Sequence, residues 1–245
     1  MDSFNTSTYP IPNFEFFSNL DHKSHKLKIM TGLIKKDYFK NNGKSTISDR
    51  SFYLSISFFI SLGLLTTWTA TLFAPATFGL PFLIFVGFVI PMIGVFVSQS
   101  DSFPTSLLGY SMITIPFGLI LKPVLDAYSP DVVNNAVLLT AMITTLMGAS
   151  GLLYPNFYSK IGTTLFISLC CLLFVRILGL FIPELRFGII DWIAAGIFSL
   201  YIGYDMYRAS VATKSIISAL HISVSLYLDI INLFLNLLKI IGDRK

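Results

Sequence analysis

The segment Ala219–Ile241, which reads ALHISVSLYLDIINLFLNLLKII, decides the fold of this chain. It exceeds the roughly 20 apolar residues that a helix needs to cross the hydrocarbon core of a bilayer. A helix is also the form in which one segment satisfies its own backbone groups in lipid. Its acidic residue, Asp229, costs about 2.5–3.5 kcal/mol at the centre of such a helix. The segment therefore predicts a membrane-spanning helix, and the cost of Asp229 indicates a functional role for its carboxyl group.

The composition extends this prediction to an all-α integral membrane protein. Of the 245 residues, 54% are hydrophobic and 12% are charged, whereas a soluble domain has about 25% charged residues. A soluble globule is therefore excluded. The last segment is expected to cross fully. The alternative is a re-entrant or tilted helix, because a full span places the basic C-terminus outside, against the positive-inside rule. We predict a seven-transmembrane-helix bundle over residues 52–245, with spans Phe52–Phe73, Phe78–Val97, Thr105–Val124, Val132–Leu153, Gly162–Ile182, Phe187–Tyr207 and Ala219–Ile241.

Residues 1–51 form a separate region that we expect in the cytoplasm. Their excess of Lys and Arg over Asp and Glu places them inside by the positive-inside rule. No cleavable signal peptide is expected, so the first span would direct the chain to the membrane. Apolar residues recur at helical spacing among lysines, which indicates either an amphipathic helix on the inner leaflet or a solvated tail: Leu27, Met30, Leu33 and Ile34.

Two of the charges inside apolar segments are expected to pair with each other. Arg176 and Asp191 lie nearly equidistant from the turn Ile182-Pro183-Glu184 that joins the fifth and sixth spans. In an antiparallel helical hairpin they therefore reach a similar depth. We predict a buried Arg176–Asp191 ion pair that either braces these helices or forms an outer gate for a permeating cation.

The other two charges, Asp205 and Asp229, lie in the last two spans without a comparable basic partner. They are level with each other if the chain reverses within residues 209–218. Two carboxyl groups brought together at low dielectric do not easily both ionise, so the pair is expected to hold one proton over a wide pH range. Such a pair is a pH sensor, a cation site, or both.

Polar side chains around Asp229 suggest a pathway along the last helix. Oxygen atoms on such a stripe suit a hard cation such as Ca²⁺, which would bind transiently at Asp205 and Asp229. The alternative is that the stripe provides hydrogen bonds between helices. Its members recur at helical spacing: Ser218, Ser225, Asp229, Asn232 and Asn236.

Small residues indicate where helices approach each other closely. Two lie in the fourth span and three in the sixth, at spacings that align them on one helix face. We expect close packing at these positions: Gly148, Gly151, Gly196, Ser199 and Gly203.

The segments SLYIGYD (Ser199–Asp205) and SVSLYLDIINLFL (Ser223–Leu235), the latter followed by LLKIIG, are similar to two helices of a known family. They resemble the penultimate and last helices of the BAX inhibitor motif family, and the separation of their aspartates also fits. The resemblance implies seven membrane helices in a family with cytoprotective members in eukaryotes and a pH-sensitive Ca²⁺ leak in bacteria. It maps the di-aspartyl sensor of the family onto Asp205 and Asp229.

The chain departs from the family pattern at three places. Family members often carry a basic residue near the inner end of the second span that can engage the aspartates, but Val97–Asp101 reads VSQSD here. The family sequence YDTQ reads YDMY from Tyr204 onward, and Asn156 replaces a common acidic residue. The resemblance therefore does not decide whether a closed-state basic lock exists in this chain.

We expect a pH-sensitive calcium-permeable leak channel gated by Asp205 and Asp229, with no enzymatic activity and no cofactor. The alternatives are an ion/proton exchanger using the same aspartates and a non-conducting membrane scaffold. Protease-like patterns, such as Gly148–Gly151 with His221, are incomplete. The expected partners are the lipid bilayer, the calcium ion and other membrane proteins, but not nucleic acid. The expected location is a bacterial inner membrane, with the ER or Golgi membrane as the alternative.

Overall fold

The computed structural model describes residues 46–74, 79, 82, 85–181 and 188–242, and these contain helices and no strand. The predicted N-terminal amphipathic helix and the turn Ile182-Pro183-Glu184 lie outside them. A π-helical turn, Phe85–Val89, runs directly into α2. The α-helices are α1 (Asp49–Phe73), α2 (Ile90–Ser98), α3 (Phe103–Asp126), α4 (Pro130–Leu153), α5 (Pro155–Phe181), α6 (Gly188–Val211) and α7 (Ile216–Gly242).

Six of these helices are long and apolar enough to cross a membrane: α1 and α3 to α7. The all-α, multi-pass membrane class is thus confirmed, whereas seven full spans are not. The predicted second span appears as the shorter apolar helix Phe85–Ser98, whose first turn is π-helical. Pro91 lies just after this turn and has no N–H to donate, which favours a local change in the hydrogen-bond pattern.

Residues outside the apolar runs fix where the helices begin. The Ser48 side chain accepts a hydrogen bond from the backbone N–H of Ser51 and thereby caps α1. Three other helices carry a proline in their first turn, where its missing N–H costs nothing: Pro104, Pro130 and Pro155. Several helices consequently start a few residues before the spans predicted from hydropathy alone.

Helix α7 lies at the centre of the bundle. It packs against α1, α2, α3, α4 and α6, and 67% of its most apolar window is buried. Helix α5 is peripheral, packs chiefly against α6, and has only 11% of its window buried. The exposed apolar side chains on the outer helices, such as Phe58, Leu146 and Phe166, form the surface that lipid would cover.

The chain reverses between Val211 and Ile216, within the predicted window. Lys214 holds this turn, because its ammonium group donates to the backbone carbonyl of Ala209 at 2.6 Å. The same ammonium lies 4.6 Å from the ring centroid of Phe52 on α1. The turn thereby fixes α6 and α7 against the start of α1.

Helices α4 and α6 approach most closely at two glycines. A Cβ atom added to Gly151 would collide with the backbone carbonyl of Gly203, so close packing is present there. The expectation for Gly196 is wrong: a Cβ there would meet no heavy atom of the described residues within 4 Å, and the residue is exposed. Helical spacing identifies a face, but which small residues on it meet a neighbour depends on where the helices cross.

We predict that Gly151→Ala lowers the free energy of unfolding by about 1–3 kcal/mol, the usual range for overpacking. The added methyl group meets backbone, which cannot turn away as a side chain would. Gly196→Ala is the matched control and should be neutral or stabilising by up to about 1 kcal/mol, because it adds a better helix former in open space. Unfolding in mixed SDS micelles measures both, and equal effects would contradict the α4–α6 contact.

Candidate functional site

Helices α6 and α7 bring the carboxyl groups of Asp205 and Asp229 next to each other. Both residues are buried, 2% and 8% exposed respectively. If both groups were ionised, two negative charges would lie together in a buried site. Asp205 Oδ2 is buried and has no hydrogen-bond donor among the described residues. A proton on either carboxyl group would relieve the repulsion and supply a donor.

Arg208 is a third member of this site. Its Nη1 donates to Asp205 Oδ1 at 2.9 Å, from one turn further along α6, and its side chain is 46% exposed. The expectation that the aspartates have no comparable basic partner is therefore wrong. The sixth span was expected to end at Tyr207, which left Arg208 in a loop, whereas α6 continues to Val211. A spacing of three residues was the signal that could have identified this pair.

The region that carries the basic residue in related proteins makes other contacts here. Ser98, at the end of α2, accepts a hydrogen bond on its backbone carbonyl from Ser106 at 2.6 Å. The backbone carbonyl of Ser100 lies 3.1 Å from Nε2 of His221 at the inner part of α7. His221 is thus held away from Ser150, whose hydroxyl pairs with the Tyr158 hydroxyl at 2.6 Å. These contacts give the serine–histidine pattern no shared site.

The two aspartates alone do not form a calcium cage. No group of three or more His, Cys, Asp or Glu side chains that could hold a metal occurs among the described residues. Ca²⁺ takes about 6–8 oxygen ligands, which leaves water and other oxygens to complete its shell. The carboxylates among the described residues therefore do not form a tight Ca²⁺ site by themselves.

The polar stripe occupies one face of α7. Asp229 and Asn236 are buried, while Ser225 and Asn232 are half-buried. The Asn232 and Asn236 amide nitrogens donate back along the helix to the carbonyls of Leu228 and Asn232, at 2.8 and 2.6 Å. This direction turns the amide oxygen of each side chain away from its own helix, as a ligand or an acceptor.

A second charged cluster lies at the other end of α6 and α7. Arg176 on α5 donates from Nη2 to Asp191 Oδ1 at 2.9 Å, so the structure brings these two side chains together. The same nitrogen donates to Asn236 Oδ1 at 2.5 Å, and Lys239 Nζ lies 3.8 Å from Asp191 Oδ1. We call these four residues the upper cluster. Asn236 and Lys239 are further partners of the Arg176–Asp191 pair that the positions of Arg176 and Asp191 around the turn do not predict.

The chain matches a model of the family described as Bax1-I, inhibitor of apoptosis-promoting Bax1, over residues 50–245. It is 27% identical over 170 residues to Bax inhibitor 1 of Schizosaccharomyces pombe, which covers 66% of this chain and 62% of that protein. It is 31% identical over 131 residues to the Golgi anti-apoptotic protein of vaccinia virus strain Lister, covering 52% and 54%.

A further relative is an uncharacterised protein of Helicobacter pylori strain J99, 33% identical over 144 residues. That match covers 56% of this chain and 57% of the relative. The chain thus spans less than two thirds of the length of each of these relatives. The match to the family model, in contrast, covers all six membrane-length helices except Asp49, the first residue of α1. It also includes the aspartate pair and the upper cluster.

We predict that Arg176→Leu lowers the free energy of unfolding by more than the double variant Arg176→Leu/Asp191→Leu. The single change leaves Asp191, 16% exposed, without its closest partner. The difference should be about 1–3 kcal/mol, below the 3–5 typical of a fully buried pair, because Lys239 remains near. Unfolding in mixed SDS micelles measures both, and a double variant at least as unstable as the single one would rule out mutual compensation.

Proposed function

The chain belongs to the Bax inhibitor family, and from this premise we propose that it is a pH-sensitive, calcium-permeable leak channel gated by Asp205 and Asp229. The observation that carries the proposal is the burial of these two carboxyl groups next to each other, with Asp205 Oδ2 lacking a hydrogen-bond donor among the described residues. A bilayer-spanning helix pair has no structural need for two acidic groups at one point, since apolar side chains pack there at lower cost.

Charge balance explains how the pair can respond to pH. With one shared proton, the remaining negative charge is matched by Arg208, and the site is neutral. Loss of that proton leaves one uncompensated negative charge between α6 and α7. This charge attracts a cation and weakens the packing of the two helices, because a lone buried charge is costly. Tyr201, which lies near both carboxyl groups, is a further polar neighbour of the site.

The stripe on α7 supplies oxygen ligands beyond the gate. The hydroxyl of Ser225 lies one turn before Asp229, and the amide of Asn232 lies nearly one turn after it. Carbonyl, hydroxyl and water oxygens are the ligands with which Ca²⁺ replaces part of its hydration shell. We infer that a calcium ion leaves the aspartates along this face when the helices separate.

We predict that Asp205→Asn and Asp229→Asn each reduce the pH dependence of Ca²⁺ flux from proteoliposomes. Either change removes the group that exchanges the proton, so flux at pH 6 and at pH 8 should become nearly equal. Asp126→Asn is the matched control: it also neutralises an aspartate, but one in an exposed ion pair with Lys122. An unaltered pH profile in both test variants would remove the gate from the proposal.

The same experiment separates the alternatives. An ion/proton exchanger would move protons in proportion to Ca²⁺, which a pH-sensitive dye inside the vesicles would report. A regulatory scaffold would conduct nothing. Flux that is absent in the wild type, with the protein folded, would therefore favour the scaffold.

We predict that Arg208→Gln moves the midpoint of the pH response of flux to higher pH. The guanidinium favours the ionised form of Asp205, so without it the aspartate pair keeps its proton up to a higher pH. Because Arg208 is nearly half exposed, we expect a shift of about one pH unit or less. Lys160→Gln, which removes an exposed positive charge from α5, is the control; a shift in the opposite direction would contradict the pairing.

We propose that the protein has no enzymatic activity, uses no cofactor, and acts in a bacterial inner membrane or in an ER or Golgi membrane. The Helicobacter relative supports the first location and the Golgi protein of vaccinia virus supports the second. Fractionation of the source cells with a tagged chain distinguishes these membranes.

A further inference from the structure

The upper cluster closes the polar stripe at the end opposite to the aspartate pair. Asn236 follows Asp229 by two helical turns on the same face of α7, a rise of about 10 Å at 1.5 Å per residue. The guanidinium of Arg176 is bound to the amide oxygen of Asn236. An ion that moved along the stripe from Asp229 would therefore meet a fixed positive charge.

The net charge of the upper cluster is positive. Arg176 and Lys239 contribute two positive charges and Asp191 contributes one negative charge. Asp191 is 16% exposed, whereas the side chains of Arg176 and Lys239 are 34% and 42% exposed. The cluster lies about 5–9 Å inside the ends of its helices, three to six residues at 1.5 Å each. Screening by salt is weaker there than at the surface, so the charge opposes a cation.

We propose that Arg176 is an electrostatic plug: it occupies the oxygen of Asn236 that a permeating cation would use and repels the cation from this end of the stripe. This inference rests on the proposed cation pathway along α7, but it is independent of the proton on the aspartate pair. The same nitrogen of Arg176 also donates to Asp191 Oδ1, so the guanidinium lies between Asp191 and Asn236. Passage requires the Arg176 side chain to leave Asn236, and its partial exposure provides room for that movement.

A purely structural brace makes a different prediction from a plug. A brace is broken equally by removing either partner of the ion pair, so Arg176→Gln and Asp191→Asn would have similar effects. A plug depends on the positive charge, which Arg176→Gln removes and Asp191→Asn retains. The comparison of these two variants therefore distinguishes the roles.

The test combines Ca²⁺ flux with water access to the stripe. A cysteine is introduced as Asn232→Cys in a background with Cys170→Ala and Cys171→Ala, and its reaction with a positively charged, membrane-impermeant thiol reagent is followed in nanodiscs. We expect Arg176→Gln to raise both the flux and the reaction rate, by about tenfold, as for other changes in local cation concentration. We expect Asp191→Asn and Arg176→Lys to leave both low, because the charge remains.

Lys122→Gln is the control for loss of a positive charge that is not on the stripe, since Lys122 pairs with Asp126 in an exposed ion pair on α3. It should change neither readout. If Arg176→Gln does not fold, the triple variant Arg176→Gln/Asp191→Asn/Lys239→Gln removes all three charges of the upper cluster and should behave as the open form. Equal effects of Arg176→Gln and Asp191→Asn, or a low reaction rate in the folded triple variant, would overturn the plug.

The two proposals fail in different ways. A reaction rate that rises in Arg176→Gln supports the plug even if no variant passes Ca²⁺, and in that case the calcium function fails alone. Ca²⁺ flux that depends on the aspartates but is the same with and without Arg176 overturns the plug alone.

Discussion

Every charge on a helix that lies in a bilayer needs a partner, and this requirement determines how the last three helices of the bundle meet. Asp229 on α7 lies next to Asp205 on α6, and Asp205 forms an ion pair with Arg208 of its own helix. Arg176 on α5 is matched by Asp191 on α6 and Asn236 on α7. Lipid tails are as apolar as leucine, so apolar side chains alone do not select one packing arrangement of two helices. Each of these pairings fixes the rotation and the depth of its helix in the bundle.

The central position of α7 makes these pairings consequential for function. A helix with apolar residues on most of its circumference belongs in the interior, and α7 is surrounded by five neighbours. Its polar stripe is therefore enclosed by protein instead of lipid, and the two charged clusters close the stripe at different levels. In the proposed mechanism, one closure depends on the proton of the aspartate pair and the other on the positive charge of Arg176. A change in pH would then act at the first site and leave the barrier at the second in place.

Much of this architecture could be predicted from the sequence. The lengths of the apolar runs identify the helices, since only a helix of that length satisfies its backbone in lipid. The equal distances of Arg176 and Asp191 from a turn indicate a common depth. The ends of the helices were less predictable. Hydropathy carries no information on the capping residue or the proline that starts a helix, such as Ser48 for α1 and Pro155 for α5.

What the sequence did not reveal depends on contacts between distant segments. Arg208 was assigned to a loop because it is charged, although its helix continues past it and points it at Asp205. Asn236 was assigned to a pathway by its spacing, but its partner on α5 is sixty positions away along the chain. Gly196 resembles a packing glycine and meets nothing nearby, because the crossing point of α4 and α6 lies closer to Gly203. Periodicity gives the face of a helix, whereas the crossing points and the side-chain partners follow only from the assembled bundle.

The peripheral place of α5 has a consequence for biosynthesis. This helix buries little of its surface, and the guanidinium of Arg176 bonds to one group on α6 and one on α7. Both of those helices leave the ribosome after α5. Arg176 has neither acceptor until α6 and α7 have been synthesised. The contacts that hold α5 through its charge can therefore form only after the last two helices have joined it.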